Sequence, residues 1–363
     1  IDCGPHCPRW SQCGALGKHL GPDTGSLDRY ASFEEVKQSV DTQFEYWTNQ
    51  MCSSLCVIEN AHRALKPLPY VSALFEDCME SGHDLTEGGA KYNGIGPQAS
   101  GMATCADSLA AIKQHRYVDR SLLFGPWCVI YGIKQLVFDE KRCTGAELLE
   151  AVKHNWKGYE KLYALVNSSK VHHYGNDDDY ADELFKFMFE TYCKHIAGRK
   201  TPRGGIFSPG VYSVNANVAM GLNTNASVDG RKAGEAISDN MGPVHTDFGS
   251  HDINGPTAIV NSLTKVDHSL ATNGTLMNLR FPQEAVAGIE GRDNLASFIE
   301  EYIHKGAMHV QFNIMSAATM RAAQKKPEDY KDMLVRVAGY SAYFVELGKP
   351  LQKDLIQRTE LHF

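Results

Sequence analysis

The sequence predicts an α/β protein in which helices surround parallel strands. Three observations carry that expectation. First, Gly274–Phe281, Asn294–His304, His309–Met315 and Ser316–Lys325 alternate strand-like with helix-like patterning, the mark of parallel strands joined by crossover helices. Second, 43% apolar against 22% charged residues is the balance of a folded globular chain. Third, 363 residues exceed one ordinary domain, yet a single large α/β barrel accommodates them.

Charge and composition remove several function classes. A net charge of −7 and an isoelectric point near 6.1 argue against nucleic acid or an anionic membrane as the main partner. No apolar run reaches the roughly eighteen residues that a membrane helix needs. The start, Ile1-Asp2-Cys3, has neither a basic nor an apolar leader segment, so the expected location is the cytoplasm. It also lacks an initiator methionine, as if the chain began part-way through something larger.

The ten cysteines (3, 7, 13, 52, 56, 78, 105, 128, 143 and 193) allow three readings. A disulfide framework does not suit a long chain without a secretion signal. Cys3-x3-Cys7-x5-Cys13 and Cys52-x3-Cys56 lack the paired spacing of zinc or iron–sulfur sites. Scattered reduced thiols are the expectation, with no metal of the protein's own.

Taken in order, residues 1–16 have no periodicity of either kind and form an unassigned leader. Gly21-Pro-Asp-Thr-Gly25 is a turn cluster, and Ser32-Phe-Glu-Glu35 is a capping box that opens a helix to about Met51. A second helix is expected over Ser53–Leu65, stopping before Pro67. Pro69–Ser81 is a mixed apolar segment. Gly88–Gly101 is rich in glycine but has neither phosphate-loop spacing nor a Gly-Lys-Ser/Thr ending, so buried irregular backbone is the better use for it.

A repeat of Ile-Lys-Gln at Ile112–Gln114 and Ile133–Gln135 brackets 115–132, which therefore reads as an insertion or a sequence artefact. Removing it leaves one amphipathic helix from Asp107. Thr144-Gly-Ala-Glu147 is another capping box. Asn176-Asp-Asp-Asp179 lacks the glycine and distal glutamate of a calcium loop and is expected as the N-terminus of a helix over Tyr180–Ile196. After the loop-rich 222–243, Ala258–Val266 is helix-compatible and Pro327 begins a further turn.

Single residues then invite chemical readings. Gly339, inside Arg336-Val-Ala-Gly-Tyr340, is either a turn that only glycine takes freely or an α-carbon whose two hydrogens matter chemically. His268 is either a base or a histidine satisfied by turn backbone. Asp229-Gly-Arg231 reads as a loop held by a charge-assisted bond rather than an anion site.

Several motifs stand in one order: Gly88-Gly-Ala-Lys-Tyr-Asn93, Gly96-Pro-Gln98, Pro202-Arg-Gly-Gly205, Asp229-Gly-Arg231, Gly255-Pro-Thr257, Asn273-Gly-Thr-Leu276, His309-Val-Gln-Phe-Asn313 and Arg336-Val-Ala-Gly-Tyr340. In that order they resemble the glycyl radical enzymes, the superfamily of pyruvate formate-lyase. The resemblance covers about Gly17 to Phe363 apart from the inserted stretch. It looks closest to the branch of glycerol and propanediol dehydratases, choline trimethylamine-lyase, isethionate sulfite-lyase and hydroxyproline dehydratase.

That resemblance implies the C-terminal part of a ten-stranded α/β barrel with surrounding helices. Residues 17–230 would be barrel and 231–363 a glycine-radical domain. Gly339 would be the catalytic radical store, its radical installed by a partner activating enzyme of the radical S-adenosylmethionine type. Arg336 would pin the glycine loop, and Tyr212 and Phe207 would line the site of a small polar substrate. The chemistry implied is lyase or dehydratase cleavage of a C–O, C–N or C–S bond, and a homodimer is the expected assembly.

One departure limits this. The family's Gly-Cys-Val triplet, whose cysteine becomes the thiyl radical, is absent, and its expected place falls before Ile1. Neither Cys3 nor Cys7 has matching neighbours. The chain is thus expected to be incomplete. A formate C-acetyltransferase-like C–C lyase, a spare-part protein carrying only the radical glycine, and an inactive fragment are the other readings.

Overall fold

The computed structural model describes residues 21–27, 29–117 and 143–362, with two further short strands at Gln12–Cys13 and Lys18–His19. Apart from those strands the expected leader lies outside the described residues. So does 118–132 of the expected insertion.

Helix α1 (Phe33–Leu65) starts where the capping pattern placed it. The Ser32 hydroxyl accepts from Glu35 N–H at 3.3 Å, and the Glu35 carboxylate accepts from Ala31 N–H at 2.8 Å. The expected break between Met51 and Ser53 is not there: one helix of 33 residues runs through. Neither glycine nor proline interrupts it, and two serines alone do not stop a helix whose apolar stripe continues. Lys66 and Pro67 end it. Pro69–Ser81 resolves into the short helices α2 (Pro69–Ser72) and α3 (Glu76–Ser81).

Parallel strands organise the remainder. β1 (Gly94–Ile95) pairs with β2 (Ile206–Phe207), Gln98 bridges Gly210, Val211 bridges Thr275, and β3 (Leu276–Phe281) pairs with β4 (His309–Ile314). These pairings are all parallel, so 94–98, 206–211, 275–281 and 309–314 form one four-strand array. The glycines are needed where its loops cross. A Cβ on Gly205 would sit 1.2 Å from the Asn93 carbonyl oxygen, and one on Gly96 would sit 2.0 Å from the Asn273 amide. Within the glycine-rich stretch, a Cβ on Gly88 or Gly89 would sit 2.6 or 2.1 Å from the carbonyl oxygen of Arg203 or His83.

Helices α4 (Met102–His115), α5 (Gly145–Lys153), α6 (Glu160–Val166), α7 (Asp179–Ile196), α8 (Ala216–Leu222), α9 (Gly255–Leu263) and α10 (Gly288–His304) flank this array. The expected box at Thr144 is complete in both directions. Asp178 caps α7, and the acidic turn is clamped by Lys265, whose Nζ lies 2.7–3.0 Å from Asp177, Asp179 and Asp182. The main core joins Ile112, Phe185, Phe189, Leu263, Phe281 and Tyr302. A second, smaller core (Met320, Val335, Val337, Phe344, Leu355) lies under α11 (Ala317–Lys325), the hairpin β5 (Leu334–Arg336) and β6 (Ser341–Tyr343), and α12 (Lys349–Gln357).

Phe281 is fully enclosed, with the rings of Phe298 and Phe312 about it at 6.2 and 6.1 Å between centroids. Phe281→Ala is expected to cost about 3–5 kcal/mol, read as a lowered urea midpoint.

Candidate active site

Gly339 stands at the tip of the β5–β6 hairpin. The turn Val337–Tyr340 is closed by the Val337 N–H donating to the Tyr340 carbonyl at 2.9 Å. Gly339 takes φ of +83°, a conformation strained for any L side chain, although nothing lies within 4 Å of where a Cβ would be. Backbone geometry, not crowding, calls for glycine here, and the tip is exposed.

Three contacts hold the tip. The Gly339 N–H donates to Gln311 Oε1 at 2.8 Å, and Arg336 Nε donates to the same oxygen at 3.1 Å. Asn215 Nδ2 donates to the Tyr340 hydroxyl at 3.2 Å, tying the hairpin to the end of the 206–215 segment. Below the turn, Arg358 Nη1 donates to the Val337 carbonyl at 2.8 Å. Arg336 thus pins the glycine loop as expected, but through a shared glutamine oxygen.

Arg358 belongs to a buried polar layer. Its Nη2 bonds Asp354 Oδ2 at 3.0 Å and lies 3.6 Å from Asp239. Asn217 Nδ2 donates to Asp354 at 3.0 Å, while Asn278 and Asn240 donate to Asp239 at 2.7 and 2.9 Å. Burial pushes the Asp354 carboxyl up, with Arg358 pulling it back. Burial weakens the Arg358 cation, but Asp239 and Asp354 outweigh that and hold it firmly charged.

The other anticipated residues divide. Tyr212 is half-buried; its N–H donates to Gln98 Oε1 at 3.3 Å and its hydroxyl accepts from Asn273 Nδ2 at 3.2 Å. Two residues on, Val214 has φ of +56°, rare for a β-branched residue, on the segment that reaches Tyr340. Phe207 is 1% exposed and packs in the main core. His268 has both ring nitrogens occupied, by Thr275 Oγ1 at 2.8 Å and the Leu263 carbonyl at 3.0 Å, and burial lowers its pKa. It is a structural histidine. The buried Arg231 guanidinium donates to Ser227 Oγ and to the carbonyls of Asn225, Lys232 and Glu235, so it is a loop tie.

Away from the hairpin, Asp107, His173 and His251 form the one group among the described residues with its ligand-type atoms all within 4.8 Å. The two rings stack at 3.8 Å between centroids, and their Nδ1 atoms face one Asp107 oxygen at 3.4 and 2.7 Å. Of the two, His251 Nδ1 is the one hydrogen-bonded to that oxygen. Burial pushes Asp107 up, but the bonds and charges of His173 and His251 outweigh it and bring it down to about 2. Burial lowers His251 too, but Asp107 overcomes that and raises it; burial and the His251 charge together lower His173.

Sequence reasoning missed Gln311, Asp239, Asp354 and Arg358. Gln311 lies inside a quoted motif, but nothing local marks which strand polar group turns toward a distant loop. Arg358 follows an ordinary helix end.

Two outcomes follow from these bonds. Arg358→Met leaves Asp354 and Asp239 buried without their cation and is expected to cost about 3–5 kcal/mol by denaturant titration. For the Asp107 knot, the depressed carboxyl contributes stability above the ordinary aspartate value of 3.8, lost as pH falls towards 2. The raised His251 contributes below the ordinary histidine value of 6.5, and that share is lost as pH rises through its folded value. The lowered His173 opposes His251 in that range, so the test is the difference between wild type and Asp107→Asn: the wild-type advantage in urea midpoint should shrink as pH falls from 3.8 towards 2.

Comparison with known proteins identifies the family. Residues 13–123 and 130–221 match the family described as pyruvate formate lyase-like, and residues 241–345 match the glycine radical family. The (2S)-3-sulfopropanediol dehydratase of Klebsiella oxytoca is 80% identical over 349 residues, covering 96% of this chain and 40% of that protein. Trans-4-hydroxy-L-proline dehydratase of Clostridioides difficile is 36% identical, with 95% and 40% covered. The glycerol-bound B12-independent glycerol dehydratase from Clostridium butyricum superposes with a TM-score of 0.84 at 38% identity, over 96% of this chain and 41% of that one. The chain therefore spans about two fifths of the length of these relatives. With the pyruvate formate lyase-like match over more than half of its residues and the glycine radical match over its hairpin, the chain belongs to the glycyl radical enzymes.

Proposed function

We propose that this chain is the radical-bearing part of a glycyl radical dehydratase, and that the longer enzyme removes water from a small sulfonated diol. The observation that carries the first half is Gly339 itself: a hairpin tip at φ of +83°, free of neighbours on its α-carbon and tied at its amide. The 80% identity to a sulfopropanediol dehydratase supports the second half and favours C–O over C–N or C–S cleavage.

In this reading the barrel part is 17–230 and the glycine-radical part 231–363. An activating enzyme of the radical S-adenosylmethionine type removes one hydrogen atom from the Gly339 α-carbon, leaving an unpaired electron delocalised over the flanking amides. Turnover also needs a thiol, and no Gly-Cys-Val triplet occurs here. Storage is this chain's share; cleavage belongs to the longer protein. Tyr212, with its hydroxyl held by Asn273, lines the substrate side, and Phe207 supports that wall from the core. The protein works as a cytoplasmic homodimer.

Anaerobic activation should give the electron spin resonance doublet of a glycyl radical, and Gly339→Ala should abolish it. A doublet that survives this substitution would overturn the assignment. On exposure to air, activated chain should be cut at Gly339, and a denaturing gel should show Tyr340–Phe363 separated from the rest.

A further inference from the structure

We propose that Gln311 is a positioning residue for the radical site, fixing the amide on the N-terminal side of Gly339 through a single side-chain oxygen. The inference rests on Gly339 being the radical store, and it names the group that controls that store.

Both neighbours of Gln311 Oε1, the Gly339 N–H at 2.8 Å and Arg336 Nε at 3.1 Å, can only donate. This settles which end of the glutamine amide faces the loop. Its Nε2 lies on the other side, 3.3 Å from His309 Nε2. Gln311 is 6% exposed and sits mid-strand on β4, paired in register with Asn278, so the acceptor is carried by rigid backbone while the glycine is at an exposed tip. Arg336 on β5 orients the same oxygen, so its lone pairs cannot swing elsewhere without losing two bonds.

The chemistry explains why that matters. An electron on the glycine α-carbon is stabilised by the nitrogen of the preceding amide as donor and by the following carbonyl as acceptor. An N–H donating to a carbonyl oxygen leaves more electron density on its nitrogen, which strengthens the donor half. Held by Gln311, the upstream peptide plane stays fixed while the α-carbon flattens.

The test uses Gln311→Leu, which removes the acceptor, and Gln311→Glu, which keeps acceptor oxygens beside Arg336. Before activation, hydrogen exchange at the Gly339 amide should speed up about fivefold in Gln311→Leu, the scale of one net hydrogen bond, and stay near wild type in Gln311→Glu. After anaerobic activation, Gln311→Leu should show an altered nitrogen coupling in the spin resonance signal and a shorter radical lifetime, with both restored in Gln311→Glu. Should Gln311→Leu fail to fold, Gln311→Asn, whose shorter arm cannot reach, replaces it with the same expectation. Unchanged exchange together with an unchanged signal in these variants overturns the proposal and leaves the Gly339 assignment standing. Absence of any doublet from wild type sinks the assignment instead, while the exchange measurement still decides whether Gln311 holds the amide.

Discussion

The glycine hairpin stands on one buried guanidinium. Arg358 emerges just past α12, reaches back to the Val337 carbonyl two residues from Gly339, and closes an ion pair with Asp354 on its own helix. Arg280 on β3 secures the same chain end, donating to the carbonyls of Leu355, Ile356 and Arg358. Cations at a helix C-terminus satisfy carbonyls that the helix leaves unpaired. Both arginines are nearly excluded from solvent, and burial brings Arg280 down to about 10. Such a layer stabilises only when every member is partnered, which makes hairpin position sensitive to residues far from it in sequence.

The site is consequently a convergence of distant pieces. Residues 239–240, 278, 311, 336–340 and 354–358 meet in one layer, and of these only 311 and 336–340 fall within quoted motifs. β3 and β4 supply a rigid floor, the two arginines supply the clamp, and the hairpin supplies the reactive position. Val214, held at positive φ on the segment touching Tyr340, shows that backbone strain is also placed at this junction.

What the sequence made legible follows from the range of each signal. Caps and periodicity act within a few residues, so the starts of α1, α5 and α7 and the strands β3 and β4 were readable. The long α1 was split because a serine pair looks like a boundary when its packing partner, α7, cannot be seen. β1, β2, β5 and β6 are two or three residues each, too short for alternation to register, and they exist only because a neighbouring strand is present. Gly339 was legible as part of a motif. Gln311 and Arg358 were not, because a polar residue facing a loop twenty or more positions away leaves no local trace. The reason for glycine at Gly88 and Gly89, the carbonyl oxygens of Arg203 and His83 close against them, needed coordinates.

The hairpin's construction bears on what a break at its tip would do. Beyond Gly339, the ladder pairs Ser341 with Arg336, Ala342 with Val335 and Tyr343 with Leu334. Phe344 and Leu355 are fully enclosed in the smaller core, and Arg358 is locked beneath the turn. Severing one peptide bond at the tip disturbs none of these. The tail after the cut is thus a bound fragment rather than a lost one, retained by its own binding equilibrium and in principle exchangeable for an intact copy. Covalent damage and loss of the tail are two separate events in this architecture.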